Sequence, residues 1–483
     1  MGGYSGSTCT RFSTALITTL LAGCMAPAPQ SRPALPVQAA WPTDVGDNTS
    51  AEGAAAPADL PWQSYFSDAT LRALIGTALE NNRDLRIAVL RVEEARAAYD
   101  IRGADLFPTI DVNAQGARSR VPGDLNLTGR PVTAGNYGLS VGVTTWELDL
   151  WGRIRSLKGA ALQDFLATQA TQRAVRVSLI AQVANAYLGL RELDERIALA
   201  DQTIASRQES FRIFTRRYQV GAISKLDLTQ VETLLRQAQA LRAQLAQNRA
   251  AQAHALGLLL GSGDEVAPIA GSFQTDDTVF QALRVGLPAD LLTERPDIIS
   301  AEHQLFAAHA NIAAARAAFF PRIALTGDFG TASAQLDGLF KSGSKAWSFT
   351  PTVSLPLFDG GRLRANLNLA EIRTDVAVAN YEKTIQTAFR EVADALSDRR
   401  WLAEQVNIQS ATLNVQTERA RLAQLRYDSG ATAYLEVLDA ERDLLDAQQQ
   451  LVQVRRGLLS SNVTLYAALG GGSLDQPAQA LPR

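Results

Sequence analysis

The sequence predicts a mixed α and β membrane protein with an internal duplication. Its four strands per chain form part of a transmembrane β-barrel shared between chains, which a long α-helical barrel continues. Three observations predict this. One structural unit is written twice, at an offset of roughly 210 residues. Each copy carries a helical pattern of roughly 70 residues. Each copy also carries two period-two stretches of about ten residues.

The duplication is read from landmarks that are not low in complexity. Asn82-Arg83-Asp84-Leu85 aligns with Arg295-Pro296-Asp297-Ile298, and Phe107-Pro108 with Phe320-Pro321 at the same spacing. Gly152-Arg153 aligns with Gly361-Arg362, Arg217-Tyr218 with Arg426-Tyr427, and Gly221 with Gly430. Leu226-Asp227 and Leu260-Gly261 align with Leu435-Glu436 and Leu469-Gly470. The chain therefore divides into a signal segment 1–23, a tether 24–61, a first repeat 62–265, a second repeat 266–472 and a tail 473–483.

Each repeat reads helix, hairpin, very long helix, helix. The first helix is predicted from Ser67 or Asp68, good N-cap types, to Gly103. Its counterpart runs from Arg295 to Phe319. Long helices run from Trp151 to Val220 and from Gly361 to Ser429, ended by Gly221 and Gly430. Return helices run from Lys225 to Leu260 and from Tyr434 to Leu469. At 1.5 Å per residue a 70-residue helix is about 100 Å long, far beyond a globular helix. Val177, Ile180, Ala181, Ala184, Tyr187 and Leu188 form one helical face. In the last helix Leu438, Leu445, Val452, Leu459 and Tyr466 recur every seven residues, beside a second series of Leu444, Leu451, Leu458 and Leu465. Two seams on one helix imply neighbours on both sides, as in a closed ring.

The strands alternate. Ile110, Val112 and Ala114 face one way, as do Tyr137, Leu139, Val141 and Val143. The second copy repeats this with Ile323, Leu325 and Phe329, then Trp347, Phe349, Val353 and Leu355. Length and period suit transmembrane strands with lipid on one face and water on the other. Four strands cannot close a barrel, and an open edge in lipid costs several kcal/mol per unpaired backbone group. Several chains must share one barrel, and three would give twelve strands. The hairpin loops, 121–136 and 332–345, are placed outside the cell.

Composition removes other classes. Apolar residues make up 46% of 483, and net charge is −3, without the basic footprint of a nucleic-acid binder. Both cysteines, Cys9 and Cys24, lie near the N-terminus, so the remainder can form neither disulfide nor thiolate metal site. His303 and His309 are six apart, not the i, i+4 of a metal pair. No nucleophile elbow, phosphate loop or cofactor motif occurs. No enzyme, metal or cofactor is expected, apart from covalent lipid.

The N-terminus reads as an address and an anchor. An apolar stretch from Phe12 to Ala22 is too short to span and ends in Leu21-Ala22-Gly23-Cys24. This resembles the bacterial lipobox, which implies cleavage before Cys24 and acylation of that residue. Met25 follows rather than the Asp associated with inner-membrane retention, so outer-membrane delivery is favoured.

Several motifs together resemble the TolC family, in its lipidated branch that serves resistance-nodulation-division pumps. They are Trp146-Glu147-Leu148-Asp149-Leu150-Trp151-Gly152-Arg153, Glu294-Arg295-Pro296-Asp297-Ile298, Leu355-Pro356-Leu357-Phe358-Asp359-Gly360-Gly361-Arg362 and Tyr466-Ala467-Ala468-Leu469-Gly470. The resemblance implies a homotrimer with a twelve-stranded barrel in the outer membrane and a helical barrel across the periplasm. It implies partners as well: a periplasmic adaptor protein and an inner-membrane transporter. The expected role is a passive exit duct for drugs or other small molecules; the alternative is the duct of a protein secretion system. By the same resemblance Glu436 and Asp439 match an acidic pore ring, and Leu435, Asp439 and Arg442 a constriction. Tyr427 matches a tyrosine that helps hold the closed state, and Thr432 stands where some members place a latch arginine. Helix-initial acids are also favoured by the macrodipole, so Glu436 and Asp439 have a second reading as simple N-terminal acids. The turns at Gly221-Ala222 and Gly430-Ala431 are the candidate adaptor-docking points.

Overall fold

The computed structural model describes residues 41, 57–127, 129–261, 280, 283 and 290–473. Cys24 and its lipobox lie outside the described residues. The helices are α1 (Trp62–Tyr65), α2 (Ala69–Asn81), α3 (Arg83–Ala104), α4 (Arg153–Gln219), α5 (Lys225–Leu260), α6 (Leu291–Glu294), α7 (Pro296–Ala317), α8 (Arg362–Asp428) and α9 (Tyr434–Ala468). The strands are β1 (Ile110–Val121), β2 (Val132–Glu147), β3 (Arg322–Ser333) and β4 (Lys345–Ser354). Among the described residues no helix is long and apolar enough to cross a membrane.

The first predicted helix is two. Asp68 caps α2, its carboxylate accepting from the backbone N–H groups of Thr70 and Leu71. The helix then breaks at Asn82, whose backbone is extended. The Asn82 side chain donates to the carbonyl of Leu259 at 2.9 Å and accepts from Leu85 N at 3.0 Å, so it restarts the chain as α3. Its duplicate position is Arg295, also extended, ahead of Pro296 at the first position of α7. The first loop is also shorter than predicted, because β1 reaches Val121 and β2 begins at Val132.

The long helices begin and end alike in the two copies. Asp149 accepts from Ile154 N and Arg155 N at 3.0 and 2.9 Å. Asp359 accepts from Gly361 N and Leu363 N at 3.0 and 2.8 Å. Both satisfy donors that a helix start leaves open. At the far ends Gly221 and Gly430 each have φ 73°, where a Cβ would be strained. Ala222 N bonds Arg217 O and Ala431 N bonds Arg426 O, both at 2.8 Å, which is the Schellman closure.

The described residues form two compact units, each drawn from both repeats. The first combines Val92–Thr168 with Ala301–Tyr381 and contains the sheet. All four strands are antiparallel in the order β1-β2-β3-β4. Residues directly opposite share a face, and the register gathers the predicted apolar set on one side. Val112 opposes Val141, which opposes Phe329, which opposes Trp347. Ile110, Val143 and Phe349 form the neighbouring row. The other face holds Asp111, Asp328 and Ser348; Thr144 bonds Asp111, and Ser348 bonds Asp328. A bulge between Val143 and Trp146 inserts one residue, with Thr145 at φ 48°. It moves Trp146 onto the apolar face, where strict alternation would have placed Thr145. The Trp146 indole then donates to Leu106 O at 3.2 Å, and that of Trp151 to Pro321 O at 2.7 Å.

The second unit contains residues 57–91, 169–300 and 382–473 among those described. Its core includes Leu71, Ile75, Leu188, Leu245, Leu256 and Leu465, all fully buried. Tyr65 stacks on Tyr466 with ring centroids 4.3 Å apart. Each phenol is satisfied: Tyr65 donates to Asn462 O at 2.9 Å and Tyr466 to Leu60 O at 2.8 Å. Burial pushes the Tyr65 phenol far above its ordinary range.

Candidate gate at the paired helix turns

The turns α4–α5 and α8–α9 lie in the second unit and pack against each other. Phe214 of α4, Val231 of α5 and Leu438 of α9 are buried together, with Tyr427, Tyr434 and Leu228 against them. The rings of Phe214 and Tyr434 approach to 4.3 Å, and those of Tyr427 and Tyr434 to 4.8 Å. Arg217 closes the group: Nη1 donates to the Tyr427 hydroxyl at 2.5 Å, and its guanidinium lies over the rings of Phe214 and Tyr427. Tyr434 bonds Ser210 at 3.1 Å, and burial raises its phenol.

The predicted tip residues separate by helix face. Val437, Leu438 and Ala440 of α9 are buried. Leu435, Asp439 and Arg442 follow one another at i, i+4 and i+7 along a more exposed stripe, with Leu435 49% exposed. Arg442 pairs with Asp439 at 3.1 Å and with Asp443 at 3.2 Å; Asp443 takes Arg419 at 2.6 Å. Glu436 receives Arg426 at 2.6 Å and the Thr432 hydroxyl. Gly221, Ala222, Gly430 and Ala431 are exposed at the two turns. Beside the first turn Val220 and Leu226 are apolar and 73% and 66% exposed.

Three participants escaped sequence reading. Arg217 and Arg426 served there only as landmarks of the repeat, although an arginine before a tyrosine in both copies was the available signal. The third is Arg207 of α4, 3% exposed. Its Nη1 donates to Leu234 O at 2.7 Å, while Nε and Nη2 find no hydrogen-bond partner among the described residues. Burial lowers the Arg207 guanidinium. Burial also pushes the nearby Glu441 carboxyl up, an effect Arg207 offsets in part. Among the described residues no acid or histidine cluster suited to a metal occurs.

A four-stranded sheet with one apolar and one polar face, and two helices of 67 residues that end in matched turns, is the arrangement expected of a chain that contributes strands to a membrane barrel. Residues 74–262 and 287–471 match the family described as outer membrane efflux protein. The chain is 46% identical over 459 residues to the solvent efflux pump outer membrane protein SrpC of Pseudomonas putida, covering 94% of this chain and 96% of that protein. It is 44% identical to the outer membrane protein OprJ of Pseudomonas aeruginosa, covering 95% of each. The crystal structure of the open state of the Neisseria gonorrhoeae MtrE outer membrane channel is 36% identical, with a TM-score of 0.84 over 95% of this chain and all of that one. The chain belongs to the outer membrane efflux protein family. It is an outer-membrane channel of an efflux pump.

Proposed function

We propose that three copies of this chain form a passive exit duct, held in the outer membrane by a shared barrel and by acyl chains on Cys24. The observation that carries the oligomer is the sheet. In the order β1-β2-β3-β4 each outer strand has one neighbour, which leaves two edges whose backbone groups need partners in lipid. A second feature supports it: Trp401, Ile408, Val415 and Leu422 recur every seven residues on α8 and are 45–67% exposed in the single protomer. That spacing suits a helical seam with another chain.

At the α8–α9 turn the constriction consists of Leu435, Glu436, Asp439 and Arg442, held shut through Tyr427. A periplasmic adaptor docks at Gly221-Ala222 and Gly430-Ala431, where exposed Val220 and Leu226 offer apolar anchorage. An inner-membrane resistance-nodulation-division transporter supplies cargo. Relatives named for solvent, toluene and antibiotic efflux support small lipophilic molecules as that cargo.

The test is native mass and single-channel current of the detergent-extracted mature protein. A trimer with small, mostly closed currents is expected; a monomer would overturn the duct. In cells, deletion is expected to raise toluene and antibiotic accumulation. Loss of a secreted protein with unchanged accumulation would transfer the chain to secretion.

A further inference from the structure

The two copies use equivalent charges in different ways at their turns. Arg217 and Arg426 occupy matching positions. Arg217 reaches out to Tyr427 of the other copy, whereas Arg426 bonds Glu436 within its own turn at 2.6 Å. The matching acids also diverge. Asp227 is consumed by a capping box: its carboxylate accepts from Ser224 N at 3.1 Å and from the Ser224 hydroxyl at 2.7 Å. In the second copy the cap position is Ala433, which offers no side-chain bond. Glu436, one methylene longer than Asp227, instead turns back to the Thr432 hydroxyl and to Arg426.

We infer that Arg426 is a specificity-determining residue of the tip: it compensates Glu436, so the constriction is close to charge-balanced and Asp439 is the acid that sets ion preference. This rests on the proposed constriction. The neighbouring charges agree with it. Asp443 is matched by Arg419 at 2.6 Å. Arg442 is divided between Asp439 and Asp443, at 3.1 and 3.2 Å, so Asp439 is the least fully compensated acid. Compensation does not require a permanent hydrogen bond. Arg426 and Glu436 are both partly exposed, where a pair adds little stability. Opposite charges held well inside a screening length of about 10 Å still cancel for an ion passing nearby. A tip built this way discriminates weakly by charge, which suits a duct for neutral and amphiphilic molecules.

The experiment is the reversal potential of the intact channel in a KCl gradient, with Mg²⁺ block as a second readout. Arg426→Gln is expected to raise cation over anion permeability roughly two- to fourfold by unmasking Glu436. Glu436→Gln is expected to lower it by unmasking Arg426. The double variant should return to the wild-type value, and Arg426→Lys should leave it unchanged. Asp439→Asn should lower cation preference. Should Arg426→Gln leave the reversal potential unmoved, and the double variant behave like Glu436→Gln alone, Arg426 does not compensate the ring. The inference then fails while the constriction survives. If Asp439→Asn and Glu436→Gln both leave selectivity and block unchanged, the constriction itself is wrong, and the inference falls with it.

Discussion

Arg217 at the end of α4 donates to the hydroxyl of Tyr427 at the end of α8, 2.5 Å away and 210 residues distant in sequence. The bond joins the first copy's turn to the second's. A movement that parts α8–α9 from α4–α5 must break it, along with the cation–π contacts of the same guanidinium.

Tyr427→Phe keeps the ring against Tyr434 and removes only the acceptor. A hydrogen bond to a charged group contributes about 1.5–3 kcal/mol. The bond is exposed, which reduces that contribution; if it belongs to the closed state alone, its loss raises the open fraction by about two- to tenfold. Single-channel recording checks this, and unchanged basal conductance would remove Tyr427 from the gate. Arg217→Ala should have a similar effect, and the double variant should be clearly less than additive.

Glu441 gives the tip a pH dependence of determinable sign. Burial raises its carboxyl above the ordinary value of 4.5, so the folded state binds a proton more readily than the unfolded chain. Stability is therefore greater below the unfolded pKa and falls as pH rises through the folded one. Hydrogen exchange across α9 should slow as pH is lowered through that window, after correction for intrinsic exchange. Glu441→Gln should remove the dependence and protect α9 at neutral pH. An equal pH response in wild type and variant would show that another group titrates there.

Asn82→Ala removes the cap of α3 and the bond that ties this break to Leu259 O. The expected loss is about 1–2 kcal/mol, combining a cap with a part-buried carbonyl that loses its partner. A lowered thermal midpoint of the purified channel is the measurement. Asn82→Asp, which retains the acceptor, should recover the cap and not the bond to Leu259.

Cys24→Ser should abolish metabolic labelling with a fatty acid while leaving the barrel able to assemble, because the strands and not the acyl chains supply the span. Labelling that persists in the variant would overturn the lipobox reading.

Much of the architecture is local and so legible in the sequence. The period-two pattern fixed which side chains share a sheet face, because side chains alternate regardless of what the strand pairs with. The return helices were bounded to within a residue, at Lys225–Leu260 and Tyr434–Ala468, because glycine or a polar turn punctuates them. The break at Asn82 was missed, because a continuous helix was read from Ser67 or Asp68 to Gly103; the available signal was its duplicate, where Pro296 marks a helix start and Arg295-Pro296 aligns with Asn82-Arg83. The bulge at Thr145 was not, because neither threonine needs a positive φ until β3 sets the register.

The sequence alone determined the duplication, the order of hairpin, long helix and return helix in each copy, the apolar face of the sheet and the positions of the two turns. All of these follow from backbone period and capping chemistry, which act over a few residues. Tertiary structure decided the partners. Only packing could send Arg217 to Tyr427 and Arg426 to Glu436 from equivalent places in a repeat, or bury Arg207 beside α9. Charge pairing depends on which side chains meet across helices, and a one-dimensional pattern carries no record of that.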